Sequence, residues 1–389
     1  MSGAADDERF MAAAIRLSRR NTGLTSTNPS VACLIVRDGI VHGAAVTAPG
    51  GRPHAETQAL AQAGEAARGG TAYVTLEPCS HHGKTPPCAD ALVAAGVARV
   101  VVAVSDPDPR VSGRGLAILK EAGIEVEAGL LEEEGRRALA GYLMRQTNGR
   151  PYVTLKLALS ADGMLGRPGE EVAITGPVSR AQVHALRAET DAILVGIGTA
   201  MADDPELTTR LPGLEERSPV RIVLDPRLEL PPATKLAKTA GDVAVIAVAA
   251  KGGISPAGSP FASRADGMAG AGGNDRSADA DSDFPERRAA LEAMGVEILQ
   301  CDPRRLDALL YALGTRGISS LLVEGGARTA QAFLDAGLVD RILLFRSPDA
   351  IGEGGLESPI TPSDMPSGFR LVRESAFGRD RCLDYERVS

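Results

Sequence analysis

The residues of this chain best suited to chemistry are one histidine, one glutamate and two cysteines. His54-Ala55-Glu56 opens a helical stretch. Cys79 follows 25 residues later, in Pro78-Cys79-Ser80-His81-His82-Gly83-Lys84-Thr85-Pro86-Pro87-Cys88. An imidazole and two thiolates are soft-to-borderline donors that suit Zn²⁺, and three protein ligands leave a fourth position for water. His54 and Cys88 both fall where helix N-termini are expected, and the helix dipole there favours the thiolate of Cys88. Glu56 lies two residues from His54 and would not share its face on a regular helix. The two converge only in an irregular first turn, where Glu56 can shuttle a proton between water and substrate. A structural zinc, with His81 or His82 as fourth ligand, is the other reading of the same residues.

A framework has to position these groups. The chain of 389 residues is long enough for two to three domains, and 44% hydrophobic with 24% charged residues is a globular balance. No apolar run reaches membrane length, and the acidic start MSGAADDERF lacks the features of a signal peptide. A net charge of −8, 3% aromatics and no Trp argue against nucleic acid as a partner. Five scattered cysteines suit a reducing cytoplasm, where a close pair more often means metal than disulfide.

Helices are expected over 6–20, 54–64, 88–95, 113–122 and 131–146. Strands are expected over 31–37, 40–46, 71–76, 98–104 and 124–128, with a hairpin turn at Asp38-Gly39. This is an α/β layer pattern with helices on both faces of a mixed sheet. The breaker cluster Thr147-Asn148-Gly149-Arg150-Pro151 places a boundary between domains 1–147 and 148–389. A second α/β series runs through strands at 152–160, 191–195, 220–224, 242–249, 319–323 and 340–345, with a helix near 286–294. It is interrupted at 252–283, where 24 residues are Gly, Ala, Ser or Asp; so little apolar surface predicts a mobile insertion.

H-x-E followed by P-C and a second Cys is the zinc deaminase signature, here with eight residues between the cysteines instead of two. The segment T-L-E-P-C-S-H-H-G-K-T-P-P-C resembles the deaminase half of the bifunctional deaminase–reductases of riboflavin biosynthesis. The resemblance extends over almost the whole chain. Asn28-Pro29-Ser30-Val31 matches that family's N-P-x-V, and Asp106-Pro107-Asp108-Pro109 resembles its D-P-N-P with Asp in place of Asn. In the second half, Gly149-Arg150-Pro151-Tyr152-Val153, Lys156-Leu157-Ala158-Leu159-Ser160-Ala161-Asp162-Gly163 and Asp203-Asp204-Pro205-Glu206-Leu207-Thr208-Thr209-Arg210 are similar to the reductase motifs. So is Leu322-Val323-Glu324-Gly325-Gly326, a strand–Gly-Gly–helix unit. Its bare amides at a helix start suit a dinucleotide phosphate; read alone it is equally a helix-start turn.

The resemblance implies a cytidine-deaminase-like three-layer α/β/α domain followed by a dihydrofolate-reductase-like α/β domain. It implies Zn²⁺ on His54, Cys79 and Cys88, Glu56 as proton shuttle, and Asn28, His81 and Lys84 facing the pyrimidine. It further implies NADPH on Ala158, Thr199, Asp203 and the Gly326-Ala327-Arg328 segment. Lys156, Arg187, Leu207, Arg210 and Glu324 are implied on the substrate, where two arginines suit a phosphate, although each arginine alone also reads as a surface ion pair. Ala173 stands where the family has Trp, and Ala161 where it has Leu. His42, His184, Cys33, Cys301 and Cys382 lack a partner pattern and read as structural. The expected function is deamination of a diaminopyrimidinone ribosyl phosphate, then NADPH reduction of its ribosyl group, in a cytoplasmic enzyme that self-associates through its reductase domain. Three alternatives stand beside it: a zinc half that works on a different amino-pyrimidine or a nucleotide in tRNA, a deaminase whose second half only binds nucleotide or regulates, and a non-catalytic, zinc-stabilised binding protein.

Overall fold

The structure is a computed structural model that describes residues 3–80, 86–108, 111–170, 172–250, 282–302 and 305–388. The chain divides into two compact units, Met1–Arg150 and Pro151–Ser389. The insertion expected at 252–283 lies outside the described residues, apart from its last two positions. No helix among the described residues is long and apolar enough to cross a membrane.

The first unit contains α1 (Ala4–Ser18), β1 (Ala32–Arg37), β2 (Ile40–Val46), α2 (Ala55–Ala63), β3 (Thr71–Leu76) and α3 (Cys88–Ala95). It continues through β4 (Arg99–Val104), α4 (Arg114–Glu121), β5 (Glu125–Ala128), α5 (Glu132–Ala138) and α6 (Ala140–Asn148). The sheet order is β2-β1-β3-β4-β5, with β1 antiparallel to both neighbours and β3, β4 and β5 parallel. The β1–β2 turn uses Asp38 and Gly39, both at positive φ (52° and 74°), as a two-residue turn matched to the strand twist requires. Gly43 on β2 lets α2 lie against the sheet, since a Cβ there would stand 2.1 Å from the Ala59 carbonyl oxygen. The helix expected over 131–146 is two helices. Leu139 joins them at φ −104°, ψ 8° and is buried in the core, while Gly135 sits directly on Val104 and Ala103. Close seating of α5 on β4 bends the path at a position where helical periodicity carries no mark.

The second unit contains β6 (Tyr152–Leu159), α7 (Pro177–Ala188), β7 (Ala192–Gly196), α8 (Ile197–Asp203), β8 (Val220–Leu224), α9 (Lys235–Lys238) and β9 (Val245–Ala249). After the insertion come α10 (Phe284–Ala293), β10 (Glu297–Gln300), α11 (Leu306–Thr315), β11 (Ser320–Val323), α12 (Ala327–Asp335), β12 (Arg341–Arg346), β13 (Phe369–Phe377) and β14 (Asp380–Arg387). The nine-stranded sheet has the order β10-β9-β8-β7-β11-β6-β12-β14-β13. It is parallel from β10 to β12 and closes with the antiparallel β14 and β13. Parallel strands leave their C-terminal ends on one edge, where α/β sheets bind ligands. The side chains of β6 alternate: Val153, Leu155, Leu157 and Leu159 enter the core, while Lys156 and Ala158 share the other face.

Candidate functional sites

In the first unit, His54 is the N-cap residue of α2 with extended backbone (φ −70°, ψ 162°), and Glu56 is the second residue of the helix. The irregular position expected for His54 is therefore present. Cys79 lies just beyond the end of β3, and Cys88 is the first residue of α3, with Pro87 ahead of it. His54, Cys79 and Cys88 bring one ligand atom each to within 4.8 Å of one another. Nδ1 of His54 is 3.7 Å from Cys79 Sγ and 3.4 Å from Cys88 Sγ, and the Cys88 backbone N–H donates to Cys79 Sγ at 3.3 Å. The Cys88 thiol hydrogen bond lowers the Cys79 thiol to about 4 against its burial, with His54 helping. A converging imidazole and thiols, one already favoured as thiolate, fit Zn²⁺.

Glu56 is only 3% exposed. Burial raises its carboxyl above the ordinary range, and the His54 charge opposes that shift. Asn28 packs against Gly51, three residues before His54, where a Cβ would meet Asn28 Nδ2 at 2.3 Å. His81 and Lys84 lie outside the described residues.

The sequence left one residue of this region unmarked. Glu77, buried in T-L-E-P-C, accepts backbone N–H bonds from Asp106 (3.3 Å), Gly113 (3.2 Å) and Gly115 (3.2 Å). It ties the loop after β4 and the start of α4 to the strand end that carries Cys79. Gly115 permits this contact, because a Cβ would fall 2.1 Å from the Pro78 carbonyl oxygen. A glutamate one residue before Pro-Cys was the available signal. Asp108 donates its N–H to Asp106 at 2.9 Å, and the Asp106 carboxylate also accepts the Tyr142 hydroxyl at 3.0 Å.

In the second unit, Lys156, Arg187 and Glu324 come together at the C-terminal edge of the sheet. Glu324 directly follows β11. It accepts Nε and Nη2 of Arg187 at 2.9 and 3.1 Å, and Lys156 Nζ stands 3.6 Å away. Burial raises the Glu324 carboxyl, but the charges of Lys156 and Arg187 outweigh it and bring it down to about 2. Arg187 Nη1 also donates to the Thr208 carbonyl at 3.2 Å. The start of α7 is set from far along the chain: Asp380, buried, accepts the Gly176 N–H (2.7 Å) and the Ser179 hydroxyl (2.6 Å).

Thr199, on α8, accepts the Gly326 N–H at 3.1 Å, and Gly326 is the N-cap of α12. Gly196 and Gly325 both press on Thr329, where a Cβ would meet side-chain atoms at 2.5 and 2.6 Å. The first turn of α12 is thus seated directly on the ends of β7 and β11. Ala327 and Arg328 begin α12, whose first-turn amides have no acceptor within the helix. That cradle fits a dinucleotide phosphate. Ala158 shares a face of β6 with Lys156, Asp203 ends α8, and Leu207 is buried at φ 56°. The Arg210 guanidinium is directed elsewhere than the Glu324 cluster: it pairs with Glu206 at 2.7 Å and is half exposed. His184, which lacks a partner pattern in the sequence, is hydrogen-bonded in the fold. Its Nδ1 lies 3.2 Å from the Thr208 carbonyl and 3.3 Å from the Arg210 N–H.

Residues 4–104 match the model of the cytidine and deoxycytidylate deaminase zinc-binding region, and residues 151–252 and 279–383 match that of the RibD C-terminal domain. The chain is 39% identical to the riboflavin biosynthesis protein RibD of Aquifex aeolicus, over 95% of this chain and 92% of that protein. It is also 39% identical to that of Escherichia coli, over 97% and 98%. Among solved structures, RibD of Acinetobacter baumannii is 35% identical with a TM-score of 0.80, covering 99% of both chains. A diaminohydroxyphosphoribosylaminopyrimidine deaminase/5-amino-6-(5-phosphoribosylamino)uracil reductase of Thermotoga maritima is 31% identical, with the same TM-score and coverage.

Proposed function

Since the chain belongs to the RibD family of bifunctional riboflavin-biosynthesis deaminase–reductases, we propose that the two sites described above carry its two half-reactions. The observation that supports this most is the convergence of His54, Cys79 and Cys88 within 4.8 Å beside a buried Glu56. In the first unit His54, Cys79 and Cys88 hold Zn²⁺. When bound, the metal supplies Lewis acidity beside the substrate's amino-bearing ring carbon. Glu56 takes a proton from the attacking water and gives it to the ring nitrogen, then takes the second proton from the newly added hydroxyl and gives it to the amino group, which departs as ammonia. Burial suits Glu56 to that task, since a raised pKa makes its carboxylate a stronger base toward the attacking water. Asn28, with His81 and Lys84, orients the pyrimidine.

In the second unit the amides of Gly326, Ala327 and Arg328, with Thr199, Asp203 and the Ala158 backbone, hold NADPH, which supplies the hydride that reduces the ribosyl group. Lys156 and Glu324 position the sugar. Arg187 and Arg210 hold its phosphate, and Leu207 packs against the substrate. A non-catalytic zinc protein is disfavoured by family membership. A second unit without chemistry is disfavoured by the Lys156–Arg187–Glu324 cluster, a costly buried arrangement without a substrate to place. Thiols kept for a metal need a reducing compartment, which supports a cytoplasmic location.

The test is one preparation assayed three ways. Wild-type chain should contain about one zinc per chain, release ammonia from the diaminopyrimidinone ribosyl phosphate and oxidise NADPH with the deaminated substrate. Cys88→Ser should lose zinc and ammonia release while keeping NADPH oxidation; loss of neither refutes the metal assignment. The same reading includes self-association through the second unit, whose sheet ends on β13 with Leu371 exposed. Sedimentation should give at least a dimer, and Leu371→Arg should weaken it; a monomer at micromolar concentration counts against that part.

A further inference from the structure

The segment from Asp204 to Arg210 is held from several sides, although it is irregular. Asp204 and Leu207 both take positive φ (38° and 56°), which side chains rarely adopt and which persists only where surroundings enforce it. The enforcing contacts are present. The Lys235 N–H donates to Asp204 at 2.8 Å, the fully buried Arg221 donates to the Glu206 carbonyl at 3.2 Å, and the Thr209 N–H meets the Ser218 hydroxyl at 3.0 Å. The last anchor lies on α7. Three residues before Arg187, and so on the same helix face, His184 places Nδ1 between the Thr208 carbonyl and the Arg210 N–H.

A protonated Nδ1 would face the Arg210 N–H donor to donor. A bare Nδ1 satisfies that N–H, and the Thr208 carbonyl is already served by Arg187 Nη1 at 3.2 Å. The neutral ring with its proton on Nε2 is the form that accepts the Arg210 N–H, and it leaves the Thr208 carbonyl to Arg187. Burial, then the charges of Arg187 and Arg210, hold the His184 pKa below its usual value, against the Thr208 carbonyl and Glu324.

We propose that His184 is a positioning residue of the reductase site: neutral, it accepts the Arg210 N–H at Nδ1 and so sets the direction in which Arg210 offers its guanidinium to the substrate phosphate. This rests on the assignment of Arg187 and Arg210 to that phosphate. The Arg210 guanidinium rests on Glu206, an exposed pair cheap to exchange for a dianion.

The experiment compares NADPH oxidation by the full chain with 5-amino-6-(5-phosphoribosylamino)uracil and with its dephosphorylated counterpart. In His184→Leu, kcat/KM for the phosphorylated substrate should fall about tenfold, mainly through KM, as loss of one hydrogen-bond acceptor predicts. The dephosphorylated substrate should be turned over as before. His184→Asn, whose Oδ1 replaces Nδ1, should restore the preference within about twofold, and His184→Gln, with its amide out at the Nε2 position, should not. The Asn and Gln variants decide the matter if the Leu variant does not fold. Equal losses on both substrates, or a preference unchanged in Leu and Gln, overturns the role of His184. A wild-type chain indifferent to the phosphate overturns the arginine assignment, and this inference with it.

Discussion

Glu56→Gln should cut ammonia release by about 10³-fold while leaving the zinc content at the wild-type level. The amide keeps the size and the hydrogen bonding of the carboxyl but can neither take a proton from water nor return one. Zinc should stay because Glu56 lies outside the His54, Cys79 and Cys88 set, and metal affinity follows the ligands. The same variant given already deaminated substrate should oxidise NADPH at the wild-type rate, because that step uses residues of the other unit. Zinc loss would show that Glu56 supports the metal, and unchanged ammonia release would remove it from the chemistry. Metal analysis and the two assays on one sample distinguish these outcomes.

Glu324→Gln should have the larger effect on the second unit. Glu324 is the single carboxylate facing both Lys156 and Arg187 among the described ion pairs, at 3.6 and 2.9 Å. Removing it leaves two cations buried side by side, and breaking such a group costs about 3–5 kcal/mol. We expect kcat/KM for NADPH oxidation to fall at least about 10²-fold, while ammonia release continues. The pH dependence has a definite sign. A carboxyl brought down from 4.5 to about 2 in the folded state stabilises that state above its ordinary pKa. The contribution, on the order of 3 kcal/mol, is lost as pH falls from about 4.5 through 2. The stability gap between wild type and Glu324→Gln, followed by denaturant unfolding, should be full at neutral pH and narrow across that acid window. A gap independent of pH would show that the carboxylate charge is not what stabilises the cluster.

The spacing of residues reached far into this protein. The strands at 40–46, 71–76 and 220–224 and the helix at 88–95 stand where the sequence pattern puts them, because apolar runs and the breakers that bound them are local signals. Family membership was legible in the same way, from short runs such as H-A-E and T-L-E-P-C whose residue types are dictated by chemistry at neighbouring positions. Other elements were not legible. The hairpin of β13 and β14 is rich in Arg, Glu and Asp and is half exposed, so it lacks the apolar alternation that marks a strand. The break at Leu139 comes from the seating of Gly135 on β4, a contact between distant parts of the chain.

Sequence by itself determined which residues this protein has to work with: a histidine and two cysteines with metal-ligand character, a glutamate near them, and arginines and glycines suited to phosphates. Those are properties of residue types and spacing, which survive without knowing the fold. Tertiary structure alone decided which groups meet. Glu77 reaches amides up to 38 residues away, Asp380 receives Gly176 and Ser179 across some 200 residues, and Glu324 pairs with Arg187 across 137. His184 gains its partners in the same way, from Thr208 and Arg210. Hydrogen bonds and ion pairs act over about 3 Å whatever the separation along the chain, so a polar residue's role depends on which strand ends the sheet order makes neighbours. No local pattern records that order.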